Sequence, residues 1–172
     1  MVVVRRIECG SEYLLDQLIP LLQNVVEQGA SIGFVLPLTD EIARSYWQDV
    51  FAQVEEGLAL WVAEQDGRVV GTVQCSPCMK PNGMHRADVQ KLMVHSTMRG
   101  NGISSQLLNE LERWMREQNR FLMVLDTEAN STAAKIYERW NWQRVGEIPQ
   151  YAGLPTGELI ATCYYYKILD PH

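Results

Sequence analysis

Apolar residues recur along the chain with two different periods, and the changes between them divide it into elements. Val2 to Ile7 is a β-branched run that reads as an opening strand. Leu14, Leu15, Leu18, Leu22, Val25 and Val26 then repeat at helical spacing behind Ser11, a suitable N-cap, and Pro20 is expected to kink or split that helix. After a loop from Gly29 to Leu38, Thr39-Asp40 opens a second helix with Ile42, Ala43, Tyr46, Trp47, Val50, Phe51 and Val54 on one stripe. Leu58 to Glu64 and Arg68 to Gln74 flank Asp66-Gly67, the signal for an antiparallel hairpin.

Beyond a polar connection from Ser76 to Arg86, the pattern changes to strand, helix, strand, helix. Strand periodicity over Asp88 to Val94 sets Asp88, Gln90, Leu92 and Val94 on one side and Val89, Lys91 and Met93 on the other. The next helix carries Ile103, Leu107, Leu108, Leu111 and Met115 on a single face. Phe121 to Leu125 is uninterruptedly apolar, as expected of a strand covered on both faces. A helix beginning near Asn130 follows, then strands at Arg144 to Ile148 and Glu158 to Lys167 around a Pro/Gly-containing loop. Two parallel strands joined by a right-handed crossover helix fit this order. With no repeat, low-complexity tract or long linker, the expectation is one domain, 1–172, of α/β class, a mixed sheet with helices on both faces.

The 172 residues are 47% hydrophobic and 21% charged, enough to bury a full core. No apolar run approaches the ~20 residues of a membrane span. The start, Met1 to Arg6, lacks a signal-peptide layout, so a cytoplasmic location is expected. A net charge of −6 argues against a nucleic-acid partner and leaves any anionic ligand to local basic groups. Cys75-Ser76-Pro77-Cys78 has C-x-x-C spacing but no partner pair, since Cys9 and Cys163 stand alone and His85 and His95 are not spaced to join it. Free thiols and no metal are expected.

The chemistry concentrates between the Asp88 strand and the helix after it, in Arg99-Gly100-Asn101-Gly102-Ile103-Ser104. Two glycines let the backbone turn tightly and approach a ligand, while the free N–H groups and the dipole of a helix N-terminus favour an anion. A pyrophosphate fits best. There is no G-x-x-x-x-G-K-[ST], and Ser105 occupies the third glycine of a G-x-G-x-x-G reading. The stretch fits R-x-x-G-x-[GA], with Ser104 in the last place, and resembles the coenzyme A pyrophosphate loop of the GNAT acetyltransferases. A second block, Asn130 to Trp142, is similar to that superfamily's N-x-x-A-x-x-x-Y-x-x-x-G-[FW] segment, with Asn141 replacing glycine at a position where a helix end tolerates asparagine. The resemblance runs from about Gly29 to about Leu169. Lys80-Pro81-Asn82-Gly83, Arg86 to Val94, Leu125-Asp126-Thr127-Glu128 and Arg144 to Pro149 most resemble the tabtoxin-resistance acetyltransferase subgroup.

The resemblance implies a mostly antiparallel sheet with one parallel central pair that splays, so that the pantetheine arm of acetyl-CoA inserts between the strands. It gives Leu92, Met93 and Val94 the main-chain contacts to that arm, with one of their N–H groups stabilising the oxyanion. Arg99, Gly100, Asn101, Gly102, Ile103 and Ser104 become the phosphate loop, Asn130 a pantetheine or sulfur contact, and Tyr137 the proton donor to the leaving thiolate. Tyr137 also reads as a core residue and Asn130 as a helix cap. Direct attack by an amine on a thioester requires a group to take its proton. Asp88 and Asp126, aspartates in apolar strand runs, are the candidates, with Glu128 and Glu147 weaker ones. Alternatively, Asp126 caps the approach to its helix and Asp88 pairs with Arg86 or Lys91.

The expected function is acetyl-CoA-dependent N-acetylation of a small amine-bearing metabolite or toxin by a monomer or homodimer. A protein N-terminus or lysine is the alternative acceptor. A non-catalytic acyl-CoA-binding module is the alternative from another class, and no Cys–His motif supports a cysteine nucleophile.

Overall fold

The computed structural model describes residues 1–170, so the last two residues of the expected span 1–172 lie outside it. The elements run β1 (Val2–Ile7), α1 (Glu12–Glu27), α2 (Asp40–Glu55), β2 (Ala59–Gln65), β3 (Arg68–Pro77), β4 (Arg86–Val94), α3 (Ile103–Glu117), β5 (Leu122–Glu128), α4 (Thr132–Arg139), β6 (Gln143–Gly153) and β7 (Leu159–Ile168). The strands form a seven-stranded sheet in the order β1-β2-β3-β4-β5-β7-β6. β4 and β5 are parallel, and the other neighbouring pairs are antiparallel. This is the expected mixed sheet.

Local chemistry accounts for the element ends. Ser11 and Thr39 accept hydrogen bonds from the Leu14 and Ile42 N–H groups and so cap α1 and α2. Asp66 and Gly67 turn the β2–β3 hairpin at φ 51° and 75°, both positive as a type I′ turn requires. Asn141 stands at φ 64°, with its N–H bonded to Glu138 O and that of Trp142 to Tyr137 O, a Schellman end to α4. Pro20 does not split α1. It lies on the exposed side, where water can take the Asp16 carbonyl that proline leaves without a donor.

Helices cover the two faces unequally. α3 and α4 pack one face through Ile103, Leu107, Leu111, Ala134 and Tyr137. α1 and α2 pack the other through Leu18, Leu22, Trp47 and Val50 against Leu60, Val62 and Met93 of the sheet. β5 is therefore not covered on both sides: Met123 and Leu125 are buried beneath α3, but Leu122 and Val124 are half-buried and Asp126 is exposed. The α1–α2 cover lies over the β1–β4 half of the sheet. It leaves an open stretch over β5 and β7.

β4 departs from simple alternation. Ala87 and Val89 face the α3 core, Met93 faces the α1–α2 core, and Leu92 and Val94 lie against the α3 side. Gln90 pairs with Gln74 and Met93 with Thr72, so β4 holds one residue more than β3 in this interval, and Lys91 takes φ 51°. The extra residue is a β-bulge, which bends the strand and inverts its pattern. The expected grouping of Leu92 and Val94 with Asp88 and Gln90 therefore fails beyond Gln90.

One polar link ties α1 to the segment after β4. Asn24 accepts from the Ser96 N–H at 2.8 Å and donates to Ser96 Oγ at 2.9 Å. Asn24→Ala leaves a half-buried N–H without its acceptor and is expected to cost about 1–3 kcal/mol, measurable by urea denaturation.

Candidate active site

β4 and β5 pair only at Arg86↔Leu122, Ala87↔Met123 and Asp88↔Val124, after which each continues without the other as a ladder partner. The bulge at Lys91 supplies the bend that opens this gap. The His95 N–H reaches back to Val70 O of β3 at 2.9 Å. By strand alternation, the peptide groups of Met93 also point to β3, whereas those of Leu92 and Val94 face the gap. Of the three residues expected to offer main-chain contacts there, two have the required direction. The Met93 side chain, only 2% exposed, belongs to the α1–α2 core.

The gap ends at the turn into α3. Gly100 and Gly102 stand at φ 79° and 73°, in the left-handed region, and a Cβ at either would meet nothing within 4 Å. Gly102 caps α3 with no side-chain acceptor. Among the described residues, none accepts a hydrogen bond from the backbone N–H groups of Gly100 through Ser105. The turn is braced from within by Asn101, whose amide donates to Met98 O at 3.0 Å and Arg99 O at 3.4 Å. Arg99 is exposed and has no ion pair among the described residues. Six free donors, an unpaired guanidinium and open space above two glycines fit a diphosphate. Ile103 and Ser104 contribute two of those donors, and the Ile103 side chain is buried under the sheet.

α4 starts at the same end of the parallel pair, because it follows β5 as α3 follows β4. Ser131 is its N-cap, accepting from the Ala134 N–H at 3.1 Å. Asn130 is not the cap: it sits one residue earlier at φ 61°, exposed, with its side-chain amide free of described partners. Tyr137 packs among Trp140, Trp142 and Tyr165. Its ring is buried, yet its hydroxyl has no hydrogen-bond partner and is not among the polar atoms sealed from solvent. Burial pushes that hydroxyl well above the usual phenol range, so it stays protonated and available as a donor.

On the opposite face, the uncovered part of the sheet forms a trough. Asp88 of β4 and Asp126 of β5 lie on this side, their neighbours Val89 and Leu125 being buried on the other. Tyr164 faces Asp126 across the β5–β7 pair, and its hydroxyl is 2.7 Å from that of Tyr151. The Tyr151 hydrogen bond, then burial and the charges nearby, push Tyr164 up to about 12. The α1–α2 loop closes one side: Ser31 donates to Gly153 O at 3.0 Å and the Leu36 N–H to Pro155 O at 2.9 Å. Neither aspartate has an ion pair or a side-chain hydrogen bond to another described residue, so Asp88 is not paired with Arg86 or Lys91 and Asp126 is not a cap. Burial raises the Asp126 carboxyl above the ordinary carboxylate range, Lys91 pulls it back, and Asp88 adds to the rise.

Glu128 faces Thr162 on the trough side, at the end of β5. Glu147 does not join the site. It is paired with Cys163, which is buried on the α3 face, and its carboxylate is engaged by Arg144. Lys91 and the Tyr151–Tyr164 pair are the trough residues that sequence reasoning missed. A lysine inside an apolar strand run was the available signal for the first; the second depends on a β6–β7 register irregular between Ile148 and Ala152.

The cysteines are free thiols, and burial pushes Cys75 up to about 12. Among the described residues no group of three His, Cys, Asp or Glu could hold a metal ion, and no helix is long and apolar enough to cross a membrane. A separate cleft of about 340 Å³ between β1 and α3 is lined by Arg5, Arg6 and Arg113. These are already paired with Glu64, Glu8 and Glu110, so it offers no free cation.

A sheet parted between two parallel strands, with a helix start that has no side-chain acceptor at the parting, suits an extended ligand with an anionic end. The sequence profile of the acetyltransferase (GNAT) family matches residues 27–142, and the chain belongs to that family. N-acetyltransferase 8 of Rattus norvegicus is 32% identical over 109 residues, 62% of this chain and 46% of the relative. N-acetyltransferase 8F1 of Mus musculus is 29% identical over 132 residues, 67% of this chain and 60% of the relative. The chain thus spans about half the length of the curated relatives it matches. Among solved structures, ribosomal-protein-alanine N-acetyltransferase from Brucella melitensis superposes with TM-score 0.77 at 25% identity, covering 97% of this chain and 99% of its own. An acetyltransferase of Salmonella typhimurium, yncA, solved with its cofactor acetyl-CoA, gives TM-score 0.77 at 17% identity, with 100% and 96% covered.

Proposed function

We propose that the protein is an acetyl-CoA-dependent N-acetyltransferase acting on a small amine. The observation that carries this is the gap between β4 and β5, which ends in six N–H donors with no described acceptor. Leu92 and Val94 would pair with the pantetheine arm, and the loop from Arg99 to Ser104 would hold the diphosphate. Asn130 and Tyr137, after β5, would flank the thioester. The amine in the trough attacks the thioester carbonyl, the C–S bond breaks, and Tyr137 gives its proton to the departing sulfur. Asp126, whose carboxyl is raised above the ordinary carboxylate range, takes the proton from nitrogen, and Asp88 holds the amine by its charge. The presence of Tyr137 and both aspartates supports turnover over passive acyl-CoA binding. The Brucella melitensis enzyme, at 25% identity, favours a second reading, a protein N-terminus. Amine-dependent release of the coenzyme A thiol across a panel of small amines and N-terminal peptides tests the proposal, and release with peptides alone would select the second reading.

The base assignment has its own test. Asp126 must be deprotonated to act, so kcat/KM should fall as pH drops through its raised pKa. Asp126→Asn should lose that acidic limb along with about 10²-fold in rate. Asp88→Asn should move the limb to lower pH by removing a negative neighbour. The stability effect has a definite sign. A carboxyl whose folded pKa is raised contributes stability that is present below the unfolded value and lost as pH rises through the folded one. Asp126→Asn should therefore raise Tm at neutral pH, with the gain vanishing below about pH 4.

A further inference from the structure

Lys91 is the charged group in the trough with no assigned partner. The bulge places it there: the inverted alternation at φ 51° turns Lys91 out of the two apolar cores. Gly33 of the α1–α2 loop passes over it at φ 97°, and a Cβ on Gly33 would lie 3.7 Å from Lys91 Nζ. The ammonium is thus held between the sheet and the arching loop. It has no ion pair within 4.0 Å and no hydrogen bond among the described residues, although Asp126 is near enough for their charges to interact. Burial lowers its pKa, and Asp126 works against that shift.

A half-buried ammonium without an acceptor is unfavourable unless a ligand supplies one. An amine alone would meet Asp88 and Asp126 and leave Lys91 as it was. A molecule with an amine and a carboxylate a few bonds apart would satisfy both signs of charge in the trough at once. We infer that the acceptor is a free amino acid or a close analogue, its amine directed at Asp126 and Asp88 and its carboxylate bound by Lys91 beneath the Gly33 loop. This rests on the acetyltransferase reading above and narrows it, because the N-terminus of a protein carries no carboxylate beside its amine.

The test compares L-α-amino acids with their own carboxamides, which keep the amine and side chain and remove the negative charge. Wild type, Lys91→Met and Lys91→Arg are assayed with acetyl-CoA, and binding of the same compounds is measured by calorimetry in the presence of coenzyme A. Both variants keep an unbranched side chain at the φ 51° position, so the backbone is no more strained than in wild type. The wild type should prefer acids over carboxamides by about 10- to 100-fold, the worth of one charge-assisted hydrogen bond. Lys91→Met should erase that preference through KM, and Lys91→Arg should restore part of it. Equal use of acids and carboxamides by the wild type, a preference that survives Lys91→Met, or acids that neither bind nor react would overturn the inference. Acids that bind in a Lys91-dependent way without being acetylated would overturn the acceptor role, whereas transfer to other amines but not to acids would overturn the inference and leave the acetyltransferase reading standing.

Discussion

Gly102→Val is expected to abolish acetyl-CoA binding while leaving a folded protein. Gly102 stands at φ 73°, where a β-branched residue is strained, and it gives the first turn of α3 its N-cap. A Cβ there would meet no heavy atom within 4 Å outside its chain neighbours, so the added side chain points into open space. It occupies the space from which a diphosphate would approach the N–H groups of Gly100 to Ser105. Losing two or more charge-assisted hydrogen bonds should weaken acetyl-CoA by at least about 10²-fold. Calorimetry reads the affinity and circular dichroism the fold. Unchanged affinity in a folded variant would separate this turn from the cofactor altogether.

Tyr137→Phe should have the second largest effect, on a different quantity. Phenylalanine keeps the ring among Trp140, Trp142 and Tyr165 and removes a hydroxyl that has no partner, so stability should hold or rise slightly. kcat should fall by about 10²-fold, the scale of a lost general acid, with acetyl-CoA affinity little changed. If activity survives and stability drops, Tyr137 is a packing residue with an unseen water partner. The unpartnered hydroxyl is the feature that separates these outcomes, since a structural tyrosine in a core is ordinarily bonded.

Much of this architecture follows from local signals. Ser11, Thr39, Asp66-Gly67 and Asn141 each act where side-chain chemistry and backbone sterics dictate, because a cap or a positive-φ turn depends on a few neighbouring residues. Strand periodicity placed Asp88 on the face opposite Val89, which the structure shows, and failed three residues later. The Lys91 bulge is created by pairing with β3, a long-range event that leaves no local mark beyond a lysine in an apolar run. The reading of β5 as doubly covered failed for a related reason. How far α1 and α2 extend over the sheet is set by their packing on β3 and β4, and composition of β5 does not report it. Ser131 displaced Asn130 as the α4 cap because a residue at φ 61° cannot offer the extended geometry of an N-cap, whereas Ser131 at φ −71° and ψ 165° can. Glu147 left the site because its register opposite Cys163 turns it to the other face, and register is invisible in a short strand read alone.

The gap between β4 and β5 opens in the trough, whose two aspartates stand on those two strands, and β4 lines both. Its Leu92 and Val94 peptides face the gap, while Asp88 and Lys91 serve the trough. The account therefore requires acetyl transfer through the opening between β4 and β5, from a thioester in the gap to an amine in the trough. Isotope-labelled acetyl-CoA, followed by NMR in the presence of amino acids and wild-type protein, tests this most directly. The labelled carbonyl should pass from thioester to amide in a reaction that depends on both the amine and Tyr137. A label that stays on the thioester with amino acids, other small amines and N-terminal peptides alike, while acetyl-CoA remains bound, would contradict the account and leave an acyl-CoA-binding protein without transferase chemistry.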